Sequence, residues 1–336
     1  MFRTVFASIF VALFFVAVLG NAVSANTRTV SENPKIVSFI NKMVKQHQFK
    51  HDELTRLFSE VELLPEIVEK MKKPAEGMPW HRYRQIFLKE NRIAQGVKFW
   101  QENEAQLRRA EEKYGVPAEI IVAIIGVETR YGQHKGGFRV LDSMTTLVVD
   151  YPRRSKFFLK EMEHFLLLAR SEGINPRSVL GSYAGAMGKP QFMPSSYREY
   201  AVDFDGDGAR DLLNNSADAI GSVANYLKRH GWQRGQPVAH MARVSGNNVK
   251  KQVKKGLKPH TSVGKLDSMG IVSEAKLKKD LKTALIELEQ SDGKEYWLGL
   301  NNFYAITRYN HSALYAMAVY QLGSAIDAHR AKVALN

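Results

Sequence analysis

The chain has 336 residues, 44% of them hydrophobic, and carries a formal charge of +14 at pH 7 with no cysteine. That apolar content suffices for one large domain or two to three smaller ones, and the missing cysteines exclude disulfides and a lipid-modified thiol. So positive a chain calls for an acidic partner: nucleic acid inside a cell, or the cell wall and lipid head groups outside the inner membrane.

Residues 1–25 read as an export signal. "MFR" is a short basic start and "TVFASIFVALFFVAVLG" an apolar run, with small residues Val23 and Ala25 placing cleavage after Ala25. An uncleaved anchor is the competing reading, since the run is near the lower limit of a membrane span. Export turns the charge toward the cell wall and a periplasmic location.

From Pro34 to about Gly115 the pattern is helical and charged. "KIVSFINKMVKQHQF", "HDELTRLFSEV" and "RQIFLKENRIAQGVKFWQENEAQLRRAEEKYG" space their apolar residues at three and four, and Gly115 is a stop. From Val116 to Trp232 helices alternate with Gly- and Pro-rich turns; "SKFFLKEMEHFLLLARSEG" is an amphipathic helix ending at Gly173. After Trp232, "PVAHMARV" reads as a strand. Residues 250–282 hold ten lysines against three acidic residues and read as a mobile insert. "TALIELEQSDGKEYWLGL" reads as a hairpin turning at Ser291-Asp292-Gly293. "HSALYAMAVYQLGSAIDAHRA" returns to helix. The expected fold is mainly α (α+β): a helical domain over 26–115, a core over 116–235, a small β-containing module over 236–300, and a C-terminal helix over 301–336 packing back on the core.

Within that core, "PAEIIVAIIGVETRYG" is a helix opened by Pro117 and Glu119 and ended by Gly132. Glu128 shares its most apolar face with Ile121 and Ile124. One reading is an acid paired with Arg130, Arg139 or another nearby base. The other is a carboxyl kept protonated by desolvation and able to act as an acid. Periodicity does not choose between them. Asp142 and Asp150 follow in turns. The glycines of "AGAMG" imply a close backbone approach, read as a cleft lining against a substrate.

A second signal is "DFDGDGARDLLN". Its carboxylates fall at positions 1, 3, 5 and 9 with Gly208 at 6, the spacing of an EF-hand loop. Asp203, Asp205 and Asp207 would bind through side chains, Ala209 through its carbonyl, and Asp211 directly or through water. Asn214 replaces the usual bidentate Glu, and Arg210 sits where an apolar residue is usual. The histidines show no zinc pairing, and there is no phosphate-cradling loop or GxSxG elbow.

"VETRYG", "GSYAGAMGKPQFMPSSYREYAVDFDGDG" and "NNFYAITRYNHSALYAMAVYQLG" together resemble the family 3 lytic transglycosylases, from about residue 33 to 325. The resemblance implies a lysozyme-like core that cleaves the glycan of peptidoglycan, with Glu128 as single acid/base. It also implies a structural calcium in the acidic loop and no cofactor for the chemistry. By residue-by-residue match, Ser182 and Gln191 line the sugar cleft, while Tyr83, Tyr226, Asn310 and Tyr315 hold the saccharide or orient the acid. Phe157 stands where the family has a cleft aromatic, and Thr129 where a Ser is common. The expected partners are peptidoglycan strands and other cell-wall enzymes, with the protein a monomer. A hydrolytic muramidase and a non-catalytic wall binder are the rivals. A nucleic-acid binder is disfavoured, because 250–282 lacks interleaved aromatics.

Overall fold

The computed structural model describes residues 29–72 and 77–334. The export signal read over 1–25 lies outside the described residues. Among those residues, no helix is long and apolar enough to cross a membrane.

The N-terminal part consists of α1 (Pro34–His47), α2 (His51–Ser59), α3 (Pro65–Met71), α4 (Trp80–Phe87), α5 (Glu90–Glu102) and α6 (Glu104–Tyr114). Asn33 caps α1 by accepting from the Lys35 amide, and Pro34 fills the first helical position. The long helical stretch from Arg84 to Gly115 is broken twice, at Leu88 (φ −92°, ψ 46°) and at Asn103 (φ −126°, ψ 25°), where the backbone leaves the helical region and ends α4 and α5. Gly115, left-handed at φ 75°, ends α6 as expected.

Next come α7 (Ala118–Thr129), β1 (Phe138–Arg139), α8 (Val140–Asp150), α9 (Ser155–Ser171), β2 (Leu180–Gly181), α10 (Pro194–Tyr200) and α11 (Ser216–Arg229). α7 is buried on nearly all sides, not on one face, because α5, α6, α11 and the C-terminal helix all pack on it. It ends at Thr129, three residues before the expected Gly132. Asp142 and Asp150 belong to α8, not to turns: Asp142 is buried against Arg139, and Asp150 is exposed at the helix end.

The chain then forms β3 (Ala239–Val244), α12 (Val249–Val253), β4 (Thr261–Ser262), α13 (Val263–Asp267), β5 (Ile271–Ser273), β6 (Lys282–Gln290) and β7 (Gly293–Gly299), followed by α14 (Asn301–Thr307) and α15 (Ala313–Ala334). The five strands form one antiparallel sheet, ordered β4-β6-β7-β3-β5. Gln290 pairs with Gly293, so the hairpin turns on two residues, Ser291 and Asp292. The lysine-rich stretch is folded rather than a loose insert. It supplies α12, β4, α13 and β5 around a second core of Leu266, Ile271, Leu285 and Leu298.

α15 lies directly on α7. A Cβ on Gly323 would stand 2.9 Å from the Glu119 carbonyl, so only glycine permits this approach. That contact brings the start of α15 to the end of α7.

Candidate active site

Glu128 is the penultimate residue of α7 and is partly exposed, whereas Ile121 and Ile124 beneath it are fully buried. The helix closes in a double left-handed turn: Arg130 and Tyr131 have φ of 51° and 61°. Their amides donate to Gly126 and Ile125, capping otherwise unpaired carbonyls. Non-glycine residues in this region cost about 1–3 kcal/mol each and persist only where surroundings hold them. Here three side chains do so. Thr129 Oγ1 donates to the Lys189 carbonyl at 2.7 Å and accepts from the Gly132 amide at 3.0 Å. Arg130 Nε donates to Gln95 Oε1 at 2.7 Å. Tyr131 stacks on Phe99 and donates to the Arg92 carbonyl at 2.9 Å. The bases offered as partners for the acid are thus engaged elsewhere, Arg130 on Gln95 and Arg139 on Asp142.

Tyr315, near the start of α15, donates from its hydroxyl to Glu128 Oε1 at 2.6 Å across 187 residues of chain. Its ring stacks on Tyr309, with centroids 6.2 Å apart and planes 11° apart. Tyr309 packs on Tyr226 and Phe192 and donates to the Pro190 carbonyl at 2.6 Å. Burial, then the nearby Glu128 charge, pushes the phenols of Tyr309 and Tyr315 well above their usual range. Both therefore remain protonated donors.

Of the other residues singled out by sequence, Tyr226 belongs to this block and Tyr83 bears on its Tyr315, while Gln191, Ser182 and Phe157 make contacts of their own. Tyr83 is buried between Trp80 and Phe87 and lies close enough to Tyr315 to bear on its phenol. Tyr226 is only 8% exposed and donates to the Arg308 carbonyl at 2.5 Å, bracing the loop that carries Tyr309 and Asn310. Gln191, left-handed at φ 50°, donates from Nε2 to the carbonyls of Lys135 and Gly188. Ser182 Oγ accepts from the amides of Ala184 and Ala186, closing its own turn. Phe157 packs on Phe158 beneath the Arg154 guanidinium. In "AGAMG" two of the glycines make their close approach to the protein itself. A Cβ on Gly185 would meet Met144 at 2.5 Å, and one on Gly188 the Leu212 carbonyl at 2.3 Å. Sequence reasoning missed Tyr309 and the bracing hydroxyl of Thr129; the adjacency of Tyr309 to Asn310 was the only local signal.

In the acidic loop, Asp203, Asp205 and Asp218 bring one carboxylate oxygen each within 4.8 Å of one another, the one such group among the described residues. Asp207 accepts from the Ala209 amide, and Asp211 from those of Leu213 and Asn214. The convergent third carboxylate is Asp218, on the following helix α11 and beyond the twelve-residue spacing. Burial, with Asp205 and Asp203 adding, pushes Asp218 upward against the amides of Phe204 and Asp211. Three hard oxygens at one point fit calcium or a similar cation, not zinc.

A mainly helical body that presents one carboxyl group, clamped by a buried tyrosine, defines a lysozyme-like enzyme. The chain belongs to the Transglycosylase SLT domain family, which it matches over residues 31–324. It is 45% identical to membrane-bound lytic murein transglycosylase B of Escherichia coli over 306 residues, 88% of this chain and 83% of that one. The soluble lytic transglycosylase SltB1 of Pseudomonas aeruginosa superposes with a TM-score of 0.84 at 47% identity, covering 89% of this chain and 100% of that one. The Escherichia coli lytic transglycosylase Slt35, solved in complex with calcium, gives 0.82 at 45% identity, covering 89% and 95%.

Proposed function

We propose that the protein cleaves the bond between N-acetylmuramic acid and N-acetylglucosamine in peptidoglycan without water, leaving 1,6-anhydro ends. The observation that carries this reading is the Tyr315 hydroxyl bonded to Glu128 Oε1. It holds the carboxyl in one orientation, and the phenol stays a donor throughout the working pH range.

Glu128 donates its proton to the bridging oxygen as that bond to C1 breaks. The substrate's acetamido group stabilises the cation at C1. Glu128, now a carboxylate, takes the proton of the muramic C6 hydroxyl as that oxygen bonds to C1, and the acid is restored. A single carboxyl suffices because the substrate supplies both stabiliser and nucleophile. Ser182, Gln191 and Asn310 are assigned to the sugar substituents, with Tyr83 and Tyr226 shaping the aromatic side. Residues 116–235, with α15 folded back on them, form the catalytic part in this reading.

Asp203, Asp205 and Asp218, assisted by Asp207, Asp211 and the Ala209 carbonyl, would hold a structural calcium. Its chemistry is charge neutralisation within the loop, not catalysis. A cation held there would brace the site, because the loop is tied to it: Lys189 Nζ donates to the Asn214 carbonyl and Ser216 Oγ, and Lys135 Nζ to the Leu213 carbonyl. In this reading the protein is exported by its N-terminal signal to the periplasm, where its basic charge suits the wall, and it works there as a monomer. Mass spectrometry of digested peptidoglycan tests the reading: anhydro ends support it, and free reducing ends indicate a hydrolytic muramidase.

A further inference from the structure

A cavity of about 820 Å³ opens where the β module meets the helical body, apart from Glu128. Its volume lies within the range of about 300–1,000 Å³ usual for ligand sites, which favour such seams. Lys258, Lys276, Lys278 and Lys282 face it against one acid, Asp280. None of these five has an ion-pair partner within 4 Å among the described residues. Lys276 and Lys278 are exposed on either side of Leu277, which packs on the second core. That alternation anchors the segment and aims both charges outward.

The opposite side comes from the helical body. Gln233, Gln236 and Asn301 offer amide groups suited to a peptide backbone, and Leu281 and Leu300 add apolar surface. Burial holds His230 and His240 below their usual range, so the positive charge is that of the lysines. His230 also stacks on Tyr226 at 4.0 Å, so the cavity backs onto the aromatic block that reaches Glu128. A concave, amide-lined and cationic site suits a short carboxylate-rich peptide better than a flat anionic lipid surface, which would require a protruding face.

We infer that this cavity binds the acidic peptide arms of the wall polymer, while Glu128 works on its glycan. The inference rests on reading the chain as a peptidoglycan-cleaving enzyme. It predicts a binding constant for peptide alone and a peptide-dependent KM.

The test compares Lys258→Gln/Lys276→Gln/Lys278→Gln with a charge-matched control, Lys250→Gln/Lys251→Gln/Lys254→Gln, whose lysines lie outside the cavity lining. Calorimetric titration with the synthetic tripeptide L-alanyl-γ-D-glutamyl-diaminopimelate should show binding to the wild type and the control. The cavity variant should bind on the order of tenfold more weakly, as loss of three exposed charge pairs implies. KM should rise for the cavity variant on peptide-bearing peptidoglycan but not on glycan stripped of its peptides, with kcat unchanged on both. Equal peptide binding by all three proteins overturns the inference. So does a cavity variant that loses binding to phosphatidylglycerol vesicles but not to the tripeptide, which indicates a membrane surface instead. If the wild type cleaves neither substrate, the proposed function fails, while the peptide titration still decides the cavity.

Discussion

The acid site and the acidic loop are both built on carboxylates, yet they are held in opposite ways. Glu128 is partnered by a buried phenol, which itself rests on Tyr309, Tyr226 and Phe192. Asp203, Asp205 and Asp218 converge on one another and accept hydrogen bonds from backbone amides and the Asn215 side-chain amide. The protein thus completes the first arrangement by itself, whereas the second gathers like charges that a cation would relieve. Chemistry should depend on the first and thermal stability on the second.

The largest effect should come from Glu128→Gln. The amide keeps the shape but cannot donate the proton, so kcat should fall about 10²–10⁴-fold, the usual contribution of a general acid. The melting temperature should stay close to wild type. An active variant, or one that unfolds, breaks the separation of chemistry from stability.

Tyr315→Phe sharpens it. The ring remains stacked on Tyr309, and only the bond to Glu128 is lost. A hydrogen bond to a charged group contributes about 1.5–3 kcal/mol, so kcat should drop on the order of tenfold to a hundredfold, with KM little changed. Full activity would show that the acid needs no clamp.

Calcium tests the other half. At a concentration ten times the dissociation constant, a ligand specific to the folded state adds about 1.4 kcal/mol of stability. Calcium should therefore raise the melting temperature of the wild type, and chelator should lower it. An Asp203→Ala/Asp205→Ala variant should respond to neither. A wild-type melting temperature that ignores millimolar calcium would leave the loop an acidic turn.

The smallest effect lies outside both regions. Burial pushes the Glu163 carboxyl up, but hydrogen bonds from Lys42 and His47, joining α1 to α9, more than offset it and hold it below its ordinary 4.5. A lowered carboxyl stabilises the fold above its ordinary value, and that contribution is lost as pH falls through the lowered one. Glu163→Gln should be slightly less stable near neutrality and begin acid unfolding at slightly higher pH, and its difference from the wild type should vanish as pH falls through the lowered value. An identical acid-unfolding midpoint in both proteins would show that this pair adds nothing.

Much of the acid site was legible because Glu128 sits on a helix punctuated by local signals, and because the flanking stretches resemble a known family. What escaped reading was whatever depends on distant contacts. Tyr309 matters through Pro190, Tyr226 and Tyr315, and Thr129 through Lys189, none of which a helical period reveals. Asp218 was missed because loop spacing stops at Asn214, whereas the chain returns a carboxylate from the first turn of α11. The lysine-rich module misled for a related reason. Its core residues Leu266, Ile271, Leu285 and Leu298 are too sparse along the chain to outweigh the charges between them. They meet only once the antiparallel sheet closes.

The measurement that bears most directly on the central claim is digestion of purified peptidoglycan in water labelled with heavy oxygen. If the C6 hydroxyl is the nucleophile that Glu128 deprotonates, the new ends are 1,6-anhydro sugars containing no label, and the Glu128→Gln protein yields none. Reducing ends carrying heavy oxygen would contradict the account, because water, not the substrate's own hydroxyl, would then have attacked C1.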